Sequence, residues 1–144
     1  MIQTKSLDLF AGIPVGTYTA AREWYQRLLG VPPIFFPHDT EAVWEVAGHR
    51  YLYIVQQPEH AGHTMHTLFV DDLDALVGQI ANRGLDPVKR ETYSNGVRKA
   101  TYRDPDGTRS GSVALRFRKE LMKEENTGWA KNVRRYTRSL HRTR

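Results

Sequence analysis

Residues 69–85 read FVDDLDALVGQIANRGL, and residues 95–107 read NGVRKATYRDPDG. Leu73, Leu76, Val77 and Ile80 recur at helical spacing, so the first stretch predicts a helix over 72–83. Asp71 or Asp72 is a natural cap for its start, and Gly84 is a natural stop. Upstream, TMHTLFV at 64–70 reads as a strand. Downstream, strands are expected near 87–91 and 97–103, joined by a Ser94-Asn95-Gly96 turn. Asp104-Pro105-Asp106-Gly107 is a strong turn, and a last strand follows near 111–117.

The same order stands earlier in the chain. Residues 7–15, LDLFAGIPV, read as a strand that ends at Pro14-Val15. Residues 19–29 read as a helix, with Ala20, Trp24, Leu28 and Ala21, Tyr25, Leu29 at helical spacing. Thr17 or Thr19 could cap it, and Gly30 stops it. Pro32-Pro33 forces an extended connection, and strands near 42–47 and 50–56 flank a tight turn at Gly48-His49. Two copies of strand–helix–strand–strand–strand therefore lie about 55 residues apart, with Val15 to Gly30 matching Val70 to Gly84. Such a unit covers one sheet face with its helix and leaves the other bare. Two units that share their bare faces would form a half-barrel with a cavity between them. The expected fold is α+β: a domain over 1–117, built of βαβββ modules at about 7–57 and 64–117, then a basic tail over 118–144.

Composition narrows the function classes. The chain has 144 residues, 40% of hydrophobic type and 26% charged, as in one soluble globular domain. It has no cysteine, which excludes disulfides, thiolate metal sites, Fe–S clusters and a Cys nucleophile. No run approaches the roughly 20 apolar residues of a membrane span. With no apolar leader at Met1-Ile2-Gln3-Thr4-Lys5, the expected compartment is the cytoplasm. Residues 117–144 hold nine Lys/Arg against three Glu, while residues 1–116 hold twelve against thirteen Asp/Glu. The basic character belongs to the tail, so the whole-chain charge of +5 is weak evidence for nucleic acid.

The segments AGIPV (11–15), AAREWYQRLLG (20–30), FVDDLDALVGQIANRGL and NGVRKATYRDPDG resemble the vicinal oxygen chelate superfamily. That superfamily includes glyoxalase I, bleomycin resistance proteins and extradiol dioxygenases. The resemblance covers roughly residues 7–115. It implies four cavity-facing positions where the metal enzymes carry His or Glu. Counting from the matched motifs puts Phe10, Gln56, Met65 and Gly111 at these positions. Phe and Gly have no side-chain donor, Gln is a neutral amide, and Met is a soft thioether. The resemblance is therefore to a metal-free branch, with no cofactor expected.

Strand alternation then gives a cavity wall of Phe10 and Gly12 with Pro14; Leu52, Ile54 and Gln56; His63, Met65, Thr67 and Phe69; and Gly111, Val113 and Leu115. It is mainly apolar and suits a flat apolar or aromatic small molecule. His63 shares a face with Met65 at the rim and is the best acid–base candidate, whereas His66 should face the helix. His38, His49 and His60 fall in loops or turns. Which of Trp44 and Glu45 points inward is open, as it is for Arg98, Lys99, Thr101 and Tyr102. In the tail, Trp129, Val133, Tyr136 and Leu140 form one helical stripe among basic residues, which suggests packing on the domain or a dimer mate.

The favoured function is metal-independent binding of a small molecule, by sequestration or carriage, in a homodimer. The alternatives are a metal-independent enzyme of the same superfamily and a tail-mediated nucleic-acid or partner-binding module. Tail binding to nucleic acid is not favoured.

Overall fold

The first strand, β1 (Leu9–Val15), lies parallel to β3 (Arg50–Gln56), and β2 (Glu41–Ala47) runs antiparallel along the other side of β3. This three-stranded sheet has the order β1-β3-β2. A second sheet has the order β4-β7-β6-β5, from β4 (Met65–Val70), β5 (Lys89–Thr92), β6 (Arg98–Arg103) and β7 (Ser112–Phe117). The strand β4 lies parallel to β7, as β1 does to β3. The internal repeat is thus visible in the pairing itself. The structure is a computed structural model that describes residues 1–106 and the strand backbone of 112–117. Gly111 and the stripe expected in 118–144 lie outside the described residues.

The first module departs from its expected strand count. Where β5 stands in the second sheet, the first has only an isolated bridge, Phe35 to Val43. The Ile34 amide donates to the Val43 carbonyl at 2.8 Å, and the Val43 amide to that of Phe35 at 2.9 Å. Pro32, Pro33 and Pro37 bracket this segment, and proline has no amide hydrogen with which to extend a ladder.

Each sheet carries one helix on one face. The helix α1 (Tyr18–Leu29) starts at Thr17, whose side chain makes no capping bond. The Gln56 side-chain oxygen takes that place and accepts from the Tyr18 amide at 2.9 Å. Gly30 ends the helix with φ of 76°, a left-handed conformation that glycine adopts freely. In α2 (Leu73–Asn82), Asp72 accepts from the Ala75 amide at 2.9 Å, the capping bond expected there.

The two helix-covered faces meet in one core. Ile13, Val15, Tyr25, Trp44 and Ile54 of the first module pack in the same cluster as Val77, Ile80 and Tyr102 of the second. Each such fully buried large apolar side chain stabilises the fold by about 1.5–3 kcal/mol. Polar bonds cross the same junction. The Tyr25 hydroxyl donates to Asp104 at 2.9 Å, and the Gly16 amide donates to Asp106 at 2.9 Å. The Arg83 guanidinium donates to the Arg27 and Leu28 carbonyls in the last turn of α1. The expected meeting of the two bare faces is thereby corrected. Within one chain the modules join through their helix sides, because α1 and α2 carry the apolar stripes, and the bare faces look outward.

Candidate functional site

The bare face of the β1-β3-β2 sheet is built by register. Phe10 stands beside Tyr51, Gly12 beside Tyr53, and Pro14 beside Val55. Across the next ladder, Val43 stands beside Tyr53 and Glu45 beside Tyr51. The alternate residues Ile13, Val15, Ala42, Trp44, Leu52 and Ile54 are buried on the helix side. Alternation therefore leaves Phe10, Tyr51, Tyr53 and Glu45 on the open side, with Val43, on the same row, buried at 3% exposure.

This face is an aromatic floor. Phe10 and Tyr51 stack with centroids 4.4 Å apart and planes 13° from parallel, and Phe10 keeps 52% of its surface exposed. The Tyr53 ring lies over Gly12, where a Cβ would overlap it, so the glycine lets the ring lie flat on the sheet. The rim is acidic. Partial loss of solvent, then the negative charges of Glu45 and Asp8, raise the Tyr51 phenol above its ordinary pKa. Asp8 also meets His49 Nδ1 at 2.6 Å, and His49 holds the turn with a positive φ of 61°.

The second sheet shows a matching open row. Met65 is 75% exposed, and Thr67 and Phe69 are also exposed. Through β7, register links Phe69 to Lys99 and Thr67 to Thr101 on β6. Lys89 and Glu91 on β5 stand beside these and pair at 2.8 Å. His66, Leu68 and Val70 take the other side, and desolvation lowers the pKa of His66. His63 is exposed just before β4.

Several expected wall positions are corrected. Ile54 is 0% exposed in the shared core, and Leu52, on the same row of β3, is 4% exposed, so neither is on the open face. Gln56 is level with Val15 and turns to the start of α1. Val113 stands level with His66 rather than Met65, which takes it off the Met65 row. Gly111 lies outside the described residues. The open choices now have answers: Trp44 is in the core, its indole N–H donating to the Val31 carbonyl at 3.1 Å, and Glu45 is on the bare face. Arg98 reaches Asp74 of α2 at 3.0 Å on the helix side, and Tyr102 is buried there. Tyr51 and Tyr53 are the open-face residues that alternation alone missed.

Two other features bear on ligand and metal binding. A groove of about 240 Å³ runs along the seam between modules, lined by Leu28, Leu29, Val31, Leu68, Val70 and Leu76 among others. It is smaller than the roughly 300–1,000 Å³ of typical ligand pockets. The described positions counted from the family motifs hold no His or carboxylate for a divalent metal. Phe10 offers none, Gln56 is engaged at α1, and Met65 is a thioether. Among the described residues, no three His, Asp or Glu side chains stand together. These residues do not fit the metal of the chelating enzymes.

No family model and no curated protein matches the chain. Solved structures do. A glyoxalase/bleomycin resistance protein from Catenulispora acidiphila DSM 44928 is 54% identical, with a TM-score of 0.73 over 78% of this chain and 99% of that one. Lactoylglutathione lyase from Agrobacterium tumefaciens is 17% identical, with a TM-score of 0.62 over 82% and 96%. A bleomycin-binding protein complexed with bleomycin is 20% identical, with a TM-score of 0.59 over 81% and 99%. The last two likenesses are of fold.

Proposed function

This chain belongs to the glyoxalase/bleomycin resistance protein family of the vicinal oxygen chelate superfamily, and on that premise we propose that it binds a flat apolar or aromatic small molecule without a metal. The observation that carries the reading is the Phe10–Tyr51 stack, an aromatic surface left half exposed on a bare sheet face. Aromatic rings add favourable stacking to the burial of their area, so a flat ligand gains on both counts. The bleomycin complex of a distant fold relative supports small-molecule binding as a use of this architecture. The role is sequestration or carriage. The absence of a His or carboxylate at Phe10 and Met65 supports independence from metal.

The bare faces lie on the outside of one chain, and Phe10, Met65 and Phe69 are exposed there. A second copy laid against them would close a cavity, which supports a homodimer as the binding unit. Titration with a neutral planar probe, 9-anthracenemethanol, tests the reading by fluorescence. Phe10→Ala should weaken binding by about 1–2 kcal/mol, or roughly tenfold, at ~25 cal/mol per Å² of apolar contact. Affinity unchanged by Phe10→Ala and by Tyr53→Ala would show that the ring floor is not the site.

A further inference from the structure

We propose that the apolar groove between the modules, away from the small-molecule face, seats this chain's own C-terminal segment, with Trp129, Val133, Tyr136 and Leu140 laid along it as a helical stripe. The groove is an open edge of the core. Leu29, Leu68, Val70 and Leu76 pack against the core cluster on one side, stay only partly buried, and line the groove on the other. Val31 beside them keeps 45% of its surface exposed. Both modules contribute, so a segment seated here removes apolar surface from water at the junction that holds them together.

The fold delivers the tail to this place. The strand β7 ends at Phe117, whose register partner on the parallel strand β4 is the groove residue Val70. Neighbouring strands stand about 4.8 Å apart, so the tail begins one strand spacing from the groove. Residues 118–128 lead to Trp129 and span about 36 Å when extended, which is ample to place the stripe. A helix from Trp129 to Leu140 rises about 17 Å. The groove, of about 240 Å³, is small for a ligand but takes a few side chains of such a stripe.

Charge favours the same occupant. Glu45, on the edge strand β2, lines the groove, and the exposed Asp71 and Asp72 directly follow Val70. Lys131, Arg134, Arg135 and Arg138 flank the stripe. The cations at the α1 end of the groove are already engaged, Arg27 with Glu23 and Arg83 with α1 carbonyls. The 54%-identical relative is matched over 99% of its length by 78% of this chain, so the occupant is an addition to the shared fold.

Hydrogen exchange of the full chain, read by mass spectrometry, tests this. Amides 129–140 should exchange at least tenfold more slowly than in a free peptide of residues 118–144. Trp129→Ser with Tyr136→Ser removes half the stripe and should return the segment to the peptide's rate. Val31→Lys with Val46→Lys sets like charge on the groove against a basic segment and should do the same, with a thermal melt to check that the core persists. The chain has no cysteine, so a single Gln79→Cys, exposed on α2 one turn past Leu76, takes a benzophenone maleimide at one site. Illumination should join it to residues 118–144 in a product of single-chain mass. Exchange at the peptide's rate in the unaltered chain overturns the proposal. Protection that survives either pair of substitutions in folded protein overturns it too. A tail cross-link only at twice the chain mass gives the groove to the other copy's tail, and the absence of any tail cross-link leaves the groove uncovered; both results overturn it.

Discussion

Asp104 is the buried charged side chain among the described residues, at 4% exposure. Burial raises its pKa from the ordinary carboxylate value, against the opposing hydrogen bond from Tyr25, and the nearby Asp106 raises it further. An acid whose folded pKa is raised stabilises the fold fully below its unfolded pKa. That contribution is lost as pH rises through the folded value. The stability of wild type relative to Asp104→Asn should therefore fall as pH rises above about 4. Urea unfolding at stepped pH measures it, and a difference that stays flat or grows would show that Asp104 is not held mainly by burial. Tyr25→Phe should cost about 1–3 kcal/mol, because it leaves a buried carboxylate oxygen without its donor. None of this junction was legible from Asp-Pro-Asp-Gly. Those residues are fully accounted for as a turn, and nothing local marks Asp104 as the partner of a tyrosine 79 residues away.

At the scale of elements, the helices were legible because their stripes repeat and their ends carry Gly30, Asp72 and Gly84. The facing of β4 followed from counting back from Val70 in the matched motif rather than from polarity, since Met65, Thr67 and Phe69 on the open row and His66, Leu68 and Val70 on the other are each of mixed polarity. The facing of β3 was not legible. RYLYIV is apolar at both parities, so alternation cannot choose between Leu52-Ile54 and Tyr51-Tyr53. A register shift between Glu45 and Ala47 moves the β2-β3 pairing by one, so counting outward from Gly48-His49 misses the row. The 46-residue spacing carried from module two to module one placed Gln56 in the cavity, whereas the β1-β3 register sets Phe10 level with Tyr51. The corrected position makes its own prediction. Gln56→Ala should cost about 0.5–2 kcal/mol by uncapping α1, while Gln56→Glu should hold or raise stability by setting a negative charge at the helix start. Equal loss in both variants, read by thermal melts, would rule out capping. His66, on the helix side, has its folded pKa lowered by desolvation. Its contribution is present above the ordinary histidine value and is lost as pH falls through that range. Wild type should lose stability relative to His66→Val between about pH 7 and 5. A parallel course for the two proteins over that range would put His66 in water.

The whole molecule presents two bare faces on the outside of a shared core. Apolar side chains on a sheet face stay in contact with water only at a cost, and Met65 and Phe10 are too exposed to count as interior. The proposed homodimer would relieve this by covering the same patch on both copies. Light scattering at micromolar concentration should give about twice the 16.6 kDa chain mass, with Met65→Lys shifting it toward the single chain while the thermal transition of each protomer persists. A monomer mass for the unaltered chain would remove the dimer from the binding scheme. We expect the basic tail to be separable from this assembly. The 54%-identical relative is matched over 99% of its own length by 78% of this chain, so the family fold does not need the remaining fifth. A chain ending at residue 117 should therefore fold, keep its dimer mass and bind planar probes within about threefold of the full chain. Nucleic acid offers the opposing outcome. Residues 117–144 hold nine Lys/Arg, and counterion release makes binding through such a segment steeply salt-dependent. If the full chain binds duplex DNA at physiological salt and the truncated one does not, the tail carries a second activity. If the truncated chain loses its probe binding instead, the tail belongs to the small-molecule site.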